Sequence, residues 1–258
     1  MSPTGTTPLT GIAAFLSAFA RRQAARTVEL PGGFVALDDR YVHSRANNQA
    51  FVDGPLDPGG PAALPGRLDQ ALAHLPYRMV TVLDDATGRA CAPYLTAAGY
   101  AHHTYVVMIH EAPVPPAAAA AAPVALAELR EALAGSWRGF LPHATEEEIG
   151  HLVDRREARL RGAEQVRFVA ARTPDGQIAS WADLYTDPAA GIAQIEDLVT
   201  AEAHLGRGHA TAVLHTALHL AADLPVRFLI ADAHDWPRHW YARHGFTPAG
   251  HLHHFDRA

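Results

Sequence analysis

The chain has 258 residues, 48% of them hydrophobic, and a formal charge of −6 with its histidines neutral. That length fills one large domain or two ordinary ones, and the acidic balance argues against a non-specific nucleic-acid binder, which needs a basic surface to displace counterions. No apolar run reaches the roughly 18 to 20 residues of a membrane span. The start, MSPTGTTPLTGIAAFLSAFARRQ, has no basic residue ahead of its apolar part, so no secretory signal and no membrane partner are expected, and the cytoplasm is the expected location.

In chain order, the polar-rich stretch of the first half is DDRYVHSRANNQAFVDG. Its Tyr41, His43, Asn47 and Asn48 are candidates to contact a substrate, or else simply turn-forming surface residues. RMVTVLD, ATGRACAPYLTAAGY and HHTYVVMIHE then read as strand, helix and strand. The single cysteine, Cys91, cannot form an internal disulfide and is expected to behave as a small buried hydrophobe. Residues 111–125, EAPVPPAAAAAAPVA, are nearly all proline and alanine. Prolines remove backbone donors, so a boundary is expected there, with domains at 1–110 and 124–258 and a linker at 111–123.

The second half opens with helical periodicity in LAELREALAGSW and TEEEIGHLVDRREARL, the latter started by a capping box of Thr145 and Glu148. QVRFVAAR and IASWADLY read as a hairpin closed by TPDGQ with Gly176, followed by a strand at IAQIEDLVT. Strict alternation places Gln194, Glu196, Leu198 and Thr200 on one face of that strand, and Ile195, Asp197 and Val199 on the other. Next comes HLGRGHATAVLHTALHL, two glycines around an arginine that feed a helix with Ala210, Val213, Leu214, Ala217 and Leu218 on one face. A helix N-terminus offers unpaired N–H groups and the positive end of the dipole, and glycines admit a ligand to them. Phosphate is the expected guest.

Strand VRFLIAD, helix DWPRHWYARHGF and a last strand pair around TPAGHLHHF complete an α+β domain with a largely antiparallel sheet and one βαβ crossover. In the helix, Pro237 belongs in the first turn with Asp235 a candidate cap, and at least one of Trp236 and Trp240 is expected in the core. The first half echoes this ending: YLTAAGY overlays WYARHGF, with Gly99-Tyr100 matching Gly245-Phe246 as C-cap glycine and packing aromatic. In that overlay Leu95 stands opposite Tyr241, and only LPGRLDQALAHL occupies the place of the glycine turn. The 17 histidines are scattered. His215 and His219 share a helix face, but Thr216 stands where a zinc protease has glutamate and no third ligand is evident, so no metal is expected and solvated histidine is the default.

IEDLVT, LGRGHA, TAVLHTAL, RFLIAD and DWPRHWYARHGF together resemble the GNAT superfamily of acyl-CoA-dependent N-acyltransferases over about residues 124–258. Gly208 and Ala210 match the family's loop pattern and Arg207 is a common occupant, while Leu205 replaces its first polar residue. The resemblance implies two GNAT-like domains, the N-terminal one degenerate, with acetyl-CoA or another acyl-CoA as co-substrate and a small-molecule amine as acceptor. It implies that the main chain of Leu198, Val199 and Thr200 pairs with pantetheine and that Leu205, Gly206, Arg207, Gly208, His209, Ala210 and Thr211 hold the pyrophosphate. His234 and Asp235 would lie near coenzyme A. Tyr241 would donate a proton to the departing thiolate and Glu196 would serve as base, with Asp232 or Asp235 as alternates. A non-catalytic acyl-CoA-binding or regulatory protein, and an enzyme acting on a carrier-bound or aminoacyl-tRNA substrate, are the alternatives.

Overall fold

A computed structural model describes residues 7–258; the first part of the N-terminal segment weighed above as a signal lies outside the described residues. In chain order the elements are α1 (Pro8–Gln23), β1 (Arg26–Leu30), β2 (Gly33–Leu37), β3 (Gln49–Val52), α2 (Gly60–Ala71), β4 (Arg78–Val82), α3 (Asp85–Ala97) and β5 (Ala101–His110). There follow β6 (Ala121–Val124), α4 (Leu126–Phe140), α5 (Glu146–Asp154), α6 (Arg156–Arg159), β7 (Gln165–Arg172), β8 (Ile178–Asp187) and β9 (Ile192–Thr200). The chain ends with α7 (His209–Leu220), β10 (Val226–Asp232), α8 (Pro237–Arg243) and β11 (Phe246–Arg257). The described residues form two compact units, one of residues 7–108 with 230–258, the other of residues 109–229. The stretch from 230 onward therefore counts with the first unit, and the change of unit near residue 109 falls close to the proline–alanine segment.

In the first unit the strand order is β1-β2-β3-β4-β11-β5. β3 and β4 run parallel through the crossover helix α2, while β11 lies antiparallel to β4, from His253 opposite Val82 to Arg257 opposite Arg78. Alternate residues of β2 and β3 are buried on both faces. Phe34, Ala36 and Phe51 pack with Ala20 of α1, whereas Val35, Leu37, Ala50 and Val52 join Leu64, Leu68, Cys91 and Leu95 of α2 and α3. Cys91 is fully buried and burial pushes its thiol up to about 11, as suits a packing residue. The last strand expected as a pair is one long strand, β11.

The expected repeat is present. β4–α3–β5 and β10–α8–β11 share one order, and Gly99 and Gly245 close their helices at φ values of 85° and 86° before the buried Tyr100 and Phe246. Three of the four polar loop candidates of the first half, Tyr41, Asn47 and Asn48, are buried in the fold. Asn48 accepts from Asp38 N (2.9 Å) and donates to the carbonyls of Tyr41 and Ser44. Of the four, His43 alone is exposed.

The second unit has the order β10-β9-β8-β7-β6, antiparallel except for the parallel β9–β10 pair joined through α7. Part of the proline–alanine segment is strand: Ala121–Val124 pairs with β7 as an edge, where Pro123 needs no ladder donor. One face packs on α4 and α5 through Leu129, Leu133, Ile149, Val153, Phe168 and Trp181. Val213, Leu214, Ala217 and Leu218 of α7 are buried, as their spacing requires. The capping box forms, with Glu148 N donating to Thr145 Oγ1 and Thr145 N to Glu148 Oε2. The helix it starts does not run unbroken to residue 160. It ends at Asp154, and a separate turn carries Arg156 and Arg159, buried together with Arg155.

Candidate active site

The glycine turn is built as its residue types require. Gly206 and Gly208 have φ values of 73° and 81°, a left-handed backbone that side-chain-bearing residues adopt only at a cost. Nothing lies within 4 Å of a Cβ placed on either, residues 205–208 are exposed, and no side chain caps α7. The first intrahelical bond, Ala212 N to Gly208 O, leaves the amides of His209, Ala210 and Thr211 facing an open corner at the positive end of the helix dipole. Leu205 is 60% exposed and does not block it. The corner fits a diphosphate.

The equivalent corner of the first unit is closed. α2 begins at Gly60, so Pro65 and Gly66 of the LPGRL stretch lie inside the helix instead of turning into it. Gly60 N donates to Asp57 O at 2.7 Å, and a Cβ on Gly60 would meet the Leu56 side chain at 2.8 Å. This copy has kept the crossover and lost the cradle.

Upstream of the open corner, β9 parts from β10. Their ladder runs from Ile192 opposite Val226 only to Gln194 opposite Phe228. Beyond it, the β9 main chain through Leu198, Val199 and Thr200 has no continuation of that ladder, and an extended ligand can add to it as a strand does. Against β8, Asp183 faces Glu196 and Trp181 faces Val199, so two residues of β9, Asp197 and Leu198, oppose Ala182 alone. Asp197 has a φ of 49°, the only non-glycine with positive φ among the described residues. This bulge corrects the strict alternation: Val199 moves to the face of Gln194 and Glu196, and Thr200 to the opposite face beside Ser180, whose Oγ it reaches at 3.0 Å.

Beneath the bulge lies a buried ion cluster. Arg156 reaches Asp183 (3.2 Å) and Asp197 (2.9 Å), Arg159 reaches the same two (2.6 and 2.8 Å), and Arg155 stands 3.7 Å from Asp197. The Tyr185 hydroxyl also donates to Asp183, at 2.8 Å. Burial opposes the charge of Asp197, but Arg159, Arg156 and Arg155 outweigh it and hold the carboxyl well below the usual range. Its neighbour behaves oppositely. Burial first, and the charge of Asp197 second, raise Glu196 to about 7 against the pull of Arg159, while Gln194 donates to its Oε2 at 2.7 Å. Two adjacent carboxylates are thus driven apart, the condition under which one serves as base and the other as a fixed anion.

The same region opens into a cleft of about 170 Å³. Leu133, Ser136, Trp137 and Phe140 of α4 form one wall; Arg156, Trp181, Asp197 and Val199 form the other. Asp183, Asp197 and the arginines escaped the reading of the sequence. The available signal was an acid, Asp183, in the otherwise apolar IASWADLY, since a buried carboxylate requires cationic partners, and DRREARL supplies them.

Glu196, Leu198–Thr200 and Leu205–Thr211 all lie in the second unit, on β9, the connection to α7 and the first turn of α7. Asp232, His234, Asp235 and Tyr241 lie in the first. Asp232 Oδ1 accepts from His234 N and Asp235 Oδ1 from Trp236 N, each at 2.7 Å, so both acids brace the turn before α8. The N-cap of α8 is Trp236 rather than Asp235, with no side-chain bond. Neither tryptophan is core: Trp236 is 67% exposed and no residue of α8 is buried. Tyr241 is half-buried, its ring 5.9 Å from Phe246 and 5.2 Å from Trp240. The histidines of HLHH are not all solvated. His253 is buried between His102 Nε2 and Asp85 Oδ1, 2.9 Å from each. Among the described residues no group of three or more His, Cys, Asp or Glu is placed to hold a metal ion, and no helix is long and apolar enough to cross a membrane.

A glycine-opened helix terminus beside a bulged, splayed strand marks the site. Residues 126–246 match the model of the acetyltransferase (GNAT) family. Solved structures share the fold over the whole chain. A GCN5-related N-acetyltransferase from Kribbella flavida is 19% identical with a TM-score of 0.63, covering 98% of this chain and 96% of its own. A tandem GNAT protein from the clavulanic acid biosynthesis pathway is 13% identical with a TM-score of 0.57, covering 100% and 96%. A GCN5-related N-acetyltransferase from Sphaerobacter thermophilus is 13% identical with a TM-score of 0.55, covering 98% and 93%. No curated protein matches the sequence.

Proposed function

We propose that the protein is an N-acyltransferase that moves an acetyl or other short acyl group from coenzyme A directly to the amine of a small molecule. The observation that carries this reading is the pair Glu196 and Asp197, with opposed protonation preferences, one strand upstream of the open N-terminus of α7. Coenzyme A supplies an activated thioester. The main-chain amides of Gly206 to Thr211 hold its diphosphate, with Arg207 adding a charge-assisted contact, and the free edge of β9 receives its pantetheine arm.

Glu196 accepts the proton that the amine loses as its nitrogen attacks the thioester carbonyl carbon. The carbon–sulfur bond breaks and the departing sulfur takes a proton. Tyr241 is assigned to that donation by the family resemblance. Asp197, kept ionised by its arginines, holds charge and position without competing for the proton. A base near 7 suits proton transfer at neutral pH better than an ordinary carboxylate.

The test is thiol release from acetyl-CoA in the presence of an amine panel, followed against pH. The kcat/KM profile is expected to show an ascending limb centred near 7 that Glu196→Gln lacks. Saturable acetyl-CoA binding with no thiol release from any amine would favour the non-catalytic binding protein instead.

A further inference from the structure

The cleft beside Asp197 says what kind of amine fits, provided the acyltransferase reading above holds. Its volume, about 170 Å³, is that of cavities which take one benzene-sized body. Leu133, Trp137, Trp181 and Val199 supply an apolar wall, with an indole contributed from each side. Polar groups there are few and mostly engaged. Arg156 is 2% exposed and its Nε and Nη2 already hold Asp183 and Asp197, so its charge is engaged before a ligand carboxylate arrives.

Asp197 is different. Its side chain is 30% exposed, and all the arginine contacts to it are made on Oδ2, which leaves Oδ1 outside those pairs. The left-handed backbone at this residue is what turns a carboxylate toward the cleft from a strand position that alternation assigns to the other face. Charge sets a further limit. Three guanidiniums crowd two carboxylates here, and only an ionised Glu196 brings the balance to three against three. A ligand carrying several positive charges meets a frame with no negative charge to spare.

We propose that the acceptor is a primary monoamine on a compact, uncharged body the size of a single ring, seated between Trp137 and Trp181 with its amine hydrogen-bonded to Asp197 Oδ1. Polyamines and amino acids are excluded by the same features, the first by excess charge and the second for want of a free cation facing the cleft.

The experiment compares thiol release with 2-phenylethylamine, spermidine and free lysine as acceptors, in the wild type and in Ser136→Phe. Ser136 lies on the cleft wall but outside the buried core, so filling it leaves the fold intact. The expected result is a kcat/KM for 2-phenylethylamine at least about tenfold above the others, and a rise of about tenfold in its KM in Ser136→Phe, with acetyl-CoA affinity unchanged by calorimetry. Preference for spermidine or lysine, or an unchanged KM in the variant, overturns the inference and leaves acyl transfer standing. If acetyl-CoA binds but no acceptor is turned over, tryptophan fluorescence decides: saturable quenching by 2-phenylethylamine that Ser136→Phe removes supports the site, and its lack overturns it. Failure of acetyl-CoA to bind at all removes the underlying reading and the inference with it.

Discussion

Glu196 and Asp197 are neighbours of the same chemical type with opposite behaviour, and the difference lies in what each faces. Asp197 sits among three guanidiniums, whereas Glu196 is desolvated with a carboxylate beside it. With Glu196 as the proposed base its carboxylate form is the active one, so activity is expected to rise as pH climbs through about 7, separately from any limb set by the amine. Glu196→Gln is expected to lower kcat by about 10²–10⁴-fold at pH 8 and to flatten that limb, read by stopped-flow thiol detection. Tyr241→Phe is expected to slow turnover while acetyl-CoA affinity stays near wild type; unchanged turnover removes it from the mechanism. Glu196 was legible in the sequence as an acid on a strand beside the glycine loop. Asp197 was not, because a single left-handed residue resets the alternation and composition carries no sign of it.

At the scale of elements, the turn into α7 was readable because its requirement is local: two left-handed positions need two glycines. Gly208→Ala introduces a strained φ with ample room for its Cβ, a cost of about 1–2 kcal/mol that the loop relieves by leaving the cradle conformation. Acetyl-CoA affinity is expected to fall about tenfold by calorimetry with far-UV circular dichroism unchanged. The break between α5 and α6 was not readable from periodicity, since it answers to carboxylates on β8 and β9 that are distant in sequence. Those pairs are structural. Asp183→Asn leaves Arg156 and Arg159 short of a fully buried counter-ion and is expected to destabilise the protein by about 3–5 kcal/mol in chemical denaturation. A loss below 1 kcal/mol would show that the cluster is dispensable to folding.

At the scale of the whole molecule, the internal repeat was visible in the sequence from two glycine–aromatic pairs, and the loss of the first cradle from a proline where a turn was needed. The partition of the C-terminal strand was not visible, because local pattern does not say which sheet a strand joins. β11 stands between β4 and β5 and gives Phe255 to the core of the first unit. Removing residues 246–258 is therefore expected to unfold that unit, with residues 7–108 becoming protease-sensitive in limited proteolysis. Protection of that fragment would contradict the strand order.

The proposed function requires that the amides at the start of α7 receive coenzyme A. Calorimetric titration of the wild-type protein with acetyl-CoA tests this most directly. The account predicts saturable heat for one site per chain, weakened about tenfold in Gly208→Ala. No heat with acetyl-CoA at millimolar concentration, or equal affinity in the variant, would contradict it.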